Sequence, residues 1–274
     1  MNKLKRDKQL AVLTCLVEGN SVRSTERMCN VHRDTILRFL VRVGDGCARV
    51  SDRLMRGLPC KKVQVDEVWG FIGKKQRHLR PEDDHARLGD IWTFVALDSD
   101  TKIIPTYRVG KRDLPTAQAF LADLSSRMAN RVQLSSDSLS AYVQSIEAAF
   151  GAGVDYGQIV KSYEAEPIGP GRYSPPHVVS VDRFTVMGKP DPRHISTSHI
   201  ERSNLSARMS VRRLTRLTNA FSRKVENFRA AMDLWFAYYN YVRVHRSLRV
   251  TPAMEAGVLG NLWSISDLLD AATN

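Results

Sequence analysis

The spacing of apolar residues predicts helices at the start of the chain. Apolar side chains recur at helical intervals over residues 10 to 17, before a Gly-Asn stop signal. Ser21 can cap a second helix that runs to Met28, and a third helix is predicted from about residue 32 to 43, ended by Gly44. Because only a tight turn joins the second helix to the third, the pattern indicates a helix-turn-helix module.

From about residue 60, segments whose apolar residues follow the spacing of a strand alternate with segments whose apolar residues follow the spacing of a helix. Strands are predicted over residues 61–69, 91–97, 103–109, 132–136 and 158–163. Helices are predicted from Pro115, after Asp137, and from about Ile200 with an interruption near residues 215 to 218. Alternation of this kind predicts an α/β fold, in which a central mixed sheet is flanked by helices on both faces.

These patterns divide the chain into three segments. Residues 1–55 form the predicted all-α helix-turn-helix module, residues 60–257 the sheet-containing domain, and residues 258–274 a C-terminal tail. Within the second segment, residues 164 to 198 are rich in Pro and Gly and hold one extended run, from 178 to 187. We therefore expect an insertion with little helix at this point.

The charge of the chain indicates a polyanionic partner. Lys and Arg number 41 against 29 Asp and Glu, which gives a formal net charge of +12. Nucleic acid is the leading partner for such a surplus, ahead of an anionic membrane surface. The chain has no apolar run of the ~18 residues that a membrane span needs, and its four cysteines lack the spacing of a zinc site or a disulfide framework. We expect a cytoplasmic, nucleoid-associated protein with no membrane partner and with reduced thiols.

The predicted third helix carries candidate DNA contacts. Arg38 and Arg42 lie one helical turn apart on its polar side, and Arg33 lies at its start. A recognition helix presents such a polar stripe to the groove of DNA. The alternative is an ordinary helical cap whose charges are solvated.

Between residues 194 and 224 a single acid, Glu201, stands among basic side chains. The basic residues of this stretch are Arg202, Arg208, Arg212, Arg213, Arg216, Arg223 and Lys224. One interpretation is structural, because Ser198 and Glu201 fit the S-x-x-E capping box of a helix start. The other is that the bases hold phosphates while the acid holds a metal ion.

Two further acids are predicted to meet at one edge of the sheet. Asp66 lies inside the first predicted strand and Asp137 directly follows the fourth, where strand ends converge on a cleft. A buried carboxylate without a partner costs several kcal/mol, roughly, so it usually pairs or binds a metal. Two alternatives stay open: Glu67 could be the ligand in place of Asp66, because neighbouring strand residues face opposite sides, and Asp137 could cap the next helix.

Five stretches in order resemble the transposases of small bacterial insertion sequences, members of the ribonuclease H-like Asp-Asp-Glu recombinase superfamily. They are VDEVWGFIGKK at 65–75, WTFVALDSDT at 92–101, SSDSLSAY at 135–142, SHIERSNLSARMSVRRLTRLTNAFSRK at 198–224 and YYNYVRVHRSLRVTPAMEAG at 238–257. The resemblance covers roughly residues 60 to 257. It implies a ribonuclease H-like mixed sheet, and an N-terminal helix-turn-helix is usual in the family.

The resemblance also implies a catalytic set. The family's two aspartates and its glutamate fall on Asp66, Asp137 and Glu201, which would hold two Mg²⁺ or Mn²⁺ ions. The family's basic residue falls on Arg208, seven positions beyond Glu201 and hence on the same helix face. Hard divalent cations prefer oxygen ligands, which suits acids better than His or Cys.

The implied activity is DNA transposition. Residues about 1 to 50 would bind the terminal inverted repeats, while Arg208, Arg212, Arg213 and Arg216 would hold DNA phosphates. The enzyme would hydrolyse a phosphodiester at the element's end, and the freed 3′-hydroxyl would then attack target DNA. Joining two ends implies a homodimer or a larger assembly. The alternatives are a DNA-binding repressor, such as a catalytically silent domesticated relative, and a nuclease that cuts without strand transfer.

Overall fold

The computed structural model describes residues 4–164, 177–216 and 218–274. The Pro-rich part of the predicted insertion, residues 165–176, lies outside the described residues, as does Leu217 within the predicted helix interruption. The elements are α1 (Arg6–Val17), α2 (Val22–Cys29), α3 (Arg33–Leu54), β1 (Lys62–Ile72), β2 (Gly89–Asp98), β3 (Tyr107–Gly110), α4 (Leu114–Arg127), β4 (Val132–Ser136), α5 (Ser140–Phe150), β5 (Val154–Glu164), β6 (His177–Met187), α6 (Ser198–Ser210), α7 (Val225–Tyr241), α8 (Pro252–Glu255) and α9 (Ile265–Thr273).

The sheet has six strands in the order β3-β2-β1-β4-β5-β6. β1 pairs in parallel with β4, and β4 with β5, whereas β2, β3 and β6 run antiparallel to their neighbours. Helices α6 and α7 cover one face of β1, where the ring of Phe228 lies against Gly70. On the other face Phe94 of β2 packs against Phe120 of α4 and Tyr142 of α5. The predicted α/β class, with a mixed sheet between helices, is confirmed.

The prediction that α3 ends at Gly44 was wrong, because the helix continues to Leu54. Its two glycines permit close packing of helices. A Cβ atom on Gly44 would lie 2.6 Å from the Cα of Ala230 in α7, and one on Gly46 would lie 1.8 Å from the carbonyl oxygen of Ala272 in α9. Glycine signals a helix end in isolation, but here the tertiary contact decides its use.

The third predicted strand begins later than expected. The segment at Ile103 and Ile104 is buried but not part of the sheet, and β3 starts only at Tyr107. The side chain of Asn240 in α7 takes the place of a neighbouring strand, since its Nδ2 donates to the carbonyl of Ile104 and its Oδ1 accepts from the Ile104 amide. Buried main-chain groups need partners, and a side-chain amide supplies both here.

The predicted interruption of the helix after Ile200 is longer than the sequence indicated. Helix α6 ends at Ser210, a short 3₁₀ turn covers Arg212–Leu214, and α7 begins only at Val225. Phe221, expected on a helix face, therefore lies in a non-helical segment. That segment is held at the end of β1, where the carbonyl of Ser222 accepts from the amide of Gly73 at 2.9 Å.

One continuous core joins the first helices to the sheet-containing part, from Val12 in α1 to Ala272 in α9. Helix α3 packs against α7 and α9, so the predicted N-terminal module and C-terminal tail share buried surface with the rest. The helix-turn-helix and the three-part division stay predictions. Among the described helices, none has the length and apolarity that crossing a membrane demands.

Candidate metal centre

Three acids meet where β1 and β4 run side by side. Asp66, Glu67 and Asp137 each offer a carboxylate oxygen, and these atoms lie within 4.8 Å of one another. The strand register explains the meeting, since Gln64 of β1 lies opposite Ser135 of β4 in a parallel pair. Two residues further along each chain, Asp66 and Asp137 reach the same end of the sheet. The two aspartates therefore lie close together, as the strand pattern predicted.

Asp66 lies in an electrostatically unfavourable position for a carboxylate. Burial, the charge of Glu67 and that of Asp137 raise the pKa of Asp66 to about 7. Its one side-chain hydrogen bond comes from Asn204, whose Nδ2 donates to Oδ2 at 2.8 Å. In the described part of the chain no cationic group forms an ion pair with Asp66. A group held in this way is a candidate ligand for a cation.

Glu67 is engaged on both of its oxygens. Arg112 donates to Oε1 from Nη2 at 2.6 Å and from Nε at 2.7 Å, and the hydroxyl of Tyr142 donates to Oε2 at 2.9 Å. The side chain is 2% exposed. Burial and the charge of Asp137 raise the pKa of Glu67, against the opposing effect of Arg112. Glu67 thus ties β1 to α5 and leaves Asp66, not itself, without a counter-charge.

Asp137 does not cap the following helix. The N-cap of α5 is Leu139, and the side chain of Asp137 accepts from the Leu139 amide at 3.1 Å within the connecting turn. The open alternative of a helix-capping role is therefore wrong. Its carboxylate remains partly accessible beside Asp66.

Glu201 is not a member of the group of three acids. Its carboxylate forms an ion pair with Lys161 of β5 and accepts from the hydroxyl of Thr197 at 2.6 Å. The Ser198 capping box is absent, because the N-cap residue of α6 is Thr197 and makes no side-chain capping bond. The Glu201 side chain is 46% exposed and sits in the first turn of α6.

Helix α6 is nevertheless fixed against β1 at the acid site. The side-chain oxygen of Gln64 accepts from the amides of His199 and Ile200, both at 3.0 Å, and so caps the helix from the strand. Asn204, one turn further on, holds Asp66. The face of α6 that carries Glu201 and Asn204 at a spacing of three is thus the face directed to the acids.

The four arginines expected to hold phosphates differ in their surroundings. Arg208, four residues after Asn204, is half-buried, and its Nε atom has no hydrogen-bond partner among the described residues. Burial and the charge of Arg216 lower the pKa of Arg208, while Asp66 opposes that shift. Arg212 is partly accessible and Arg216 is exposed. Arg213 is the most enclosed of them: it donates to Ser222 at 2.8 Å, and burial lowers its pKa to about 10.

The arginines predicted as DNA contacts in the N-terminal part are all exposed. Arg33 opens α3, and its amide donates to Glu26 at 2.9 Å. Arg42 lies over the ring of Phe39 at 5.4 Å, and Arg38 is one turn before it. None of the three forms an ion pair with any described residue, so their charges are available to a polyanion.

Four contacts of the acids were missing from the sequence prediction. Asn204 had a readable signal, since it lies three residues after Glu201 on the same helix face. Arg112 and Tyr142 had none, because their contact with Glu67 depends on how α4 and α5 pack on the sheet. The contact between Lys161 and Glu201 depends on how β5 pairs with its neighbouring strands, and the sequence of β5 does not specify that register.

A divalent cation fits the donors that are present. All the groups are carboxylates or amides with oxygen atoms, which suit Mg²⁺ or Mn²⁺ better than zinc. Burial and the neighbouring carboxylates together raise the pKa of Asp66 and that of Glu67, and a bound cation would offset the charge. Among the described residues, Asp66 and Asp137 have no ion-pair partner, whereas Glu67 has Arg112.

No family model matches the chain, and no curated protein sequence matches it. What the site can do is therefore inferred from its own side chains.

Proposed function

We propose that the chain is a metal-dependent transposase of the insertion-sequence type, which cuts DNA at the ends of its element and joins them to target DNA. The observation that carries the proposal is that Asp66 and Asp137 meet with no ion-pair partner in the described part of the chain, whose net charge is +12 over its full length. Paired carboxylates at the end of parallel strands are a suitable cradle for two Mg²⁺ or Mn²⁺ ions. A basic surface beside them suits a phosphodiester substrate.

The fold is compatible with this activity. A mixed sheet whose second strand runs antiparallel to the first, and whose fourth and fifth strands run parallel to it, agrees with the ribonuclease H-like arrangement that the sequence resemblance implies. In such a sheet the first and fourth strands are neighbours. Their acids then lie close together, as those of Asp66 and Asp137 do.

The acids would hold the ions, and the other side chains would hold the acids and the substrate. When bound, the ions lower the pKa of the attacking hydroxyl and neutralise charge on the leaving oxygen. Asn204 orients Asp66 by its hydrogen bond, and Glu67 stays with Arg112 and Tyr142. Arg208 lies one turn after Asn204, and its buried Nε atom has no partner among the described residues, so a small movement of the side chain would let the guanidinium bind a phosphate oxygen.

Glu201 completes the proposed set of ligands by a change of partner. Its carboxylate would leave Lys161 and Thr197, and its partial exposure leaves the side chain free to rotate. Lys161 would then face the negatively charged DNA instead. The loss of a partly exposed ion pair and of one hydrogen bond costs about 1–2 kcal/mol, which is small beside the attraction of a dication.

The remaining basic residues would bind DNA away from the cut. Arg212, Arg213 and Arg216 follow α6 directly, and we assign them to the DNA backbone near the site. Arg33, Arg38 and Arg42 on α3 would contact the terminal inverted repeats as part of a helix-turn-helix. Because two element ends must be joined, we propose that the active form is a homodimer or a larger assembly.

The experiment uses DNA that flanks the protein's own gene, cloned on both sides of a marker in a supercoiled plasmid. Wild-type protein with Mn²⁺ is expected to nick this plasmid at the element ends and to join the marker to a second plasmid. Sequencing of the joined products gives the cut sites. Nicking without joining would leave a nuclease, and the strand-transfer proposal would be wrong.

Asp137→Ala separates the enzyme from a DNA-binding repressor. We expect this variant to shift the flanking DNA in a gel with the affinity of wild type while it neither nicks nor joins. Asp267→Ala, an acid of the α9 capping box far along the chain, is the matched control and should retain activity. Wild-type protein that binds the flanking DNA but is as inactive as Asp137→Ala would favour the repressor.

A further inference from the structure

A group of aromatic side chains lies on the open end of the sheet, outside the main core. Trp69 and Phe71 alternate along β1 on the face that carries Glu67, with ring centroids 5.7 Å apart. Phe221, from the segment before α7, places its ring 4.8 Å from that of Phe71. All three rings are partly accessible and are not among the side chains packed against the main core. We call Trp69, Phe71 and Phe221 the aromatic platform.

The platform exists because the helices stop short of this end of the sheet. Tyr142 of α5 covers the face of β1 at Glu67, and Phe120 of α4 covers β2 at Phe94. The next pair on this face is Trp69 with its cross-strand partner Trp92, and each ring is only half-buried. On the opposite face Gly70 and Ile72 are fully covered. The openness is therefore confined to one face at one end.

The platform carries positive charge. The ammonium group of Lys75 lies 5.9 Å from the centroids of both Trp69 and Phe71. Arg112 lies over the ring of Trp92 at 4.9 Å while it pairs with Glu67. Phe221 arrives with Arg223 and Lys224, which are exposed and make no ion pair with any described residue. Aromatic faces with cations above and beside them are the common device for binding unpaired nucleotides.

The platform also lies next to the acids. Glu67 and Trp69 are two residues apart on one face of β1, and Arg112 touches both Glu67 and Trp92. Asp66 lies on the opposite face of β1, but its carboxylate comes within 4.8 Å of that of Glu67. A strand whose phosphate reaches Asp66 and Asp137 and whose path continues past Glu67 would bring its neighbouring bases to these rings. Among the described residues, the cations around these rings have no acidic partner, except Arg112, which pairs with Glu67. This unpaired positive charge favours DNA as the partner over an acidic or apolar protein surface.

We propose that the aromatic platform is a stacking site for unpaired DNA bases beside the scissile phosphate. The inference rests on the proposed function for its substrate, since the same DNA strand would occupy both sites. Duplex DNA hides its base faces, so the site selects the strand that has come apart at the element's end. Stacking requires ring faces and not base edges, so it would read no sequence.

The test measures binding without metal, so that it does not depend on cleavage. Wild type and the variants Trp69→Leu, Phe71→Leu and Phe221→Leu are titrated in EDTA with a dye-labelled mixed-sequence single strand and with the matching duplex. Leucine keeps an apolar side chain but removes the ring face. Tyr163→Leu, an aromatic residue of β5 that is 58% exposed, is the matched control.

We expect each platform variant to bind the single strand about tenfold more weakly, because a stacked base contributes a factor of that size. Duplex affinity and the Tyr163→Leu variant should stay within twofold of wild type. Unchanged single-strand affinity in variants that unfold at the wild-type temperature would overturn the proposal. An equal loss for duplex, or no binding of the single strand by wild type at low salt, would overturn it as well.

Photocrosslinking of wild type covers the case of a variant that does not fold. A single strand with 5-iododeoxyuridine is irradiated with the protein, and the adducts are mapped by mass spectrometry. Adducts on Trp69, Phe71 or Phe221 support the proposal, and adducts only elsewhere contradict it. If the protein binds single strands through these rings but never cuts DNA, the stacking site is supported and the transposase proposal is wrong. If it cuts DNA but its single-strand binding does not depend on the rings, the stacking proposal is wrong and the transposase proposal is supported.

Discussion

Two groups of buried charge in this molecule use the same residue types in opposite ways. Between α3 and α4, Arg127 pairs with Asp52 at 2.9 Å and with Asp123 at 2.8 Å, and also donates to the carbonyl of Met55. Burial opposes ionisation of Asp123, but the hydrogen bonds and charge of Arg127 outweigh it and lower the pKa of that carboxyl. In this group every charge has a partner.

The acids beside β1 and β4 show the reverse. Asp66 and Asp137 come together with Glu67, and only Glu67 has an arginine. The pKa of Asp66 is raised to about 7 by its burial and by its acidic neighbours. Paired charges stabilise a fold because they hold its elements together. Clustered like charges repel one another and cost stability, so they indicate a functional site. The presence or absence of an ion-pair partner among the described residues, together with the meeting of several acids, thus separates the structural group from the candidate site.

The largest expected effect is on catalysis. Asp66→Asn should reduce metal-dependent nicking of the flanking DNA by about a thousandfold or more, because the ions would lose a charged ligand at the reacting phosphate. Single-turnover rates with Mn²⁺ measure the loss. The variant should be at least as stable as wild type without metal, since it removes a buried charge. A fall in thermal stability with activity retained would reverse the assignment of the two groups.

The next effect is on stability and belongs to the paired group. Arg127→Leu should lower the free energy of unfolding by about 1–3 kcal/mol, because it removes the ion-pair partner of the half-buried Asp123 and the donor to the Met55 carbonyl. Denaturant titration measures the change. Arg38→Leu, on the exposed side of α3, should stay within about 0.5 kcal/mol of wild type. Equal effects of the two substitutions would mean that the Arg127 group contributes little.

The pH dependence of unfolding should differ between wild type and Asp66→Asn. Because the pKa of Asp66 is about 7 in the folded state and ordinarily 3.8, the folded protein keeps a proton that the unfolded chain releases between these values. The free energy of unfolding should therefore fall as pH rises through this window, by up to about 1.4 kcal/mol per pH unit for this group. Its contribution is full below pH 4 and lost above pH 7.

The comparison with Asp66→Asn is needed because Asp233, hydrogen-bonded to Tyr107, also has a pKa raised to about 7, mainly by burial. Subtracting the two pH profiles of metal-free protein cancels that second group. A difference profile that is flat between pH 4 and 7 would contradict the view that Asp66 lacks a counter-charge. Mn²⁺ should remove the difference at neutral pH if it binds the ionised carboxylate.

The smallest effect concerns Tyr142, which ties Glu67 to α5. Tyr142→Phe should cost about 1–2 kcal/mol of stability for the lost hydrogen bond to a buried carboxylate. It should also weaken Mn²⁺ binding about tenfold, because the hydrogen bond helps to fix the relative position of the two strands' acids. Calorimetry with Mn²⁺ measures the second effect. Unchanged metal affinity would show that Glu67 only stabilises the fold.

The meeting of Asp66 and Asp137 could be predicted because it needs only two strands and their ends. The apolar runs predicted β1 and β4. In parallel neighbouring strands, residues that lie equally far beyond a paired position, as Asp66 and Asp137 do beyond Gln64 and Ser135, end up close together. The choice between Asp66 and Glu67 could not be made from alternation, which says that they face opposite sides but not which side is covered. Arg112, from the loop before α4, and Tyr142, from α5, supply that information.

Other failures of the sequence prediction have the same origin. Gly44 was expected to end α3, but its use depends on Ala230, which lies far along the chain and packs on it. Glu201 was expected among the metal ligands, which stays a prediction, and its pairing with Lys161 was not expected, because it depends on the placement of β5. Long-range packing decides these cases, and a local pattern does not contain it.

The most direct measurement is anomalous diffraction from crystals soaked in Mn²⁺, with Asp66→Asn crystals treated in the same way. We predict an anomalous peak between the carboxylates of Asp66 and Asp137 in wild type, with Glu201 turned from Lys161 toward it, and no peak in the variant. Wild-type crystals that show no peak there at millimolar Mn²⁺, or a peak only at other acids, would contradict the metal centre.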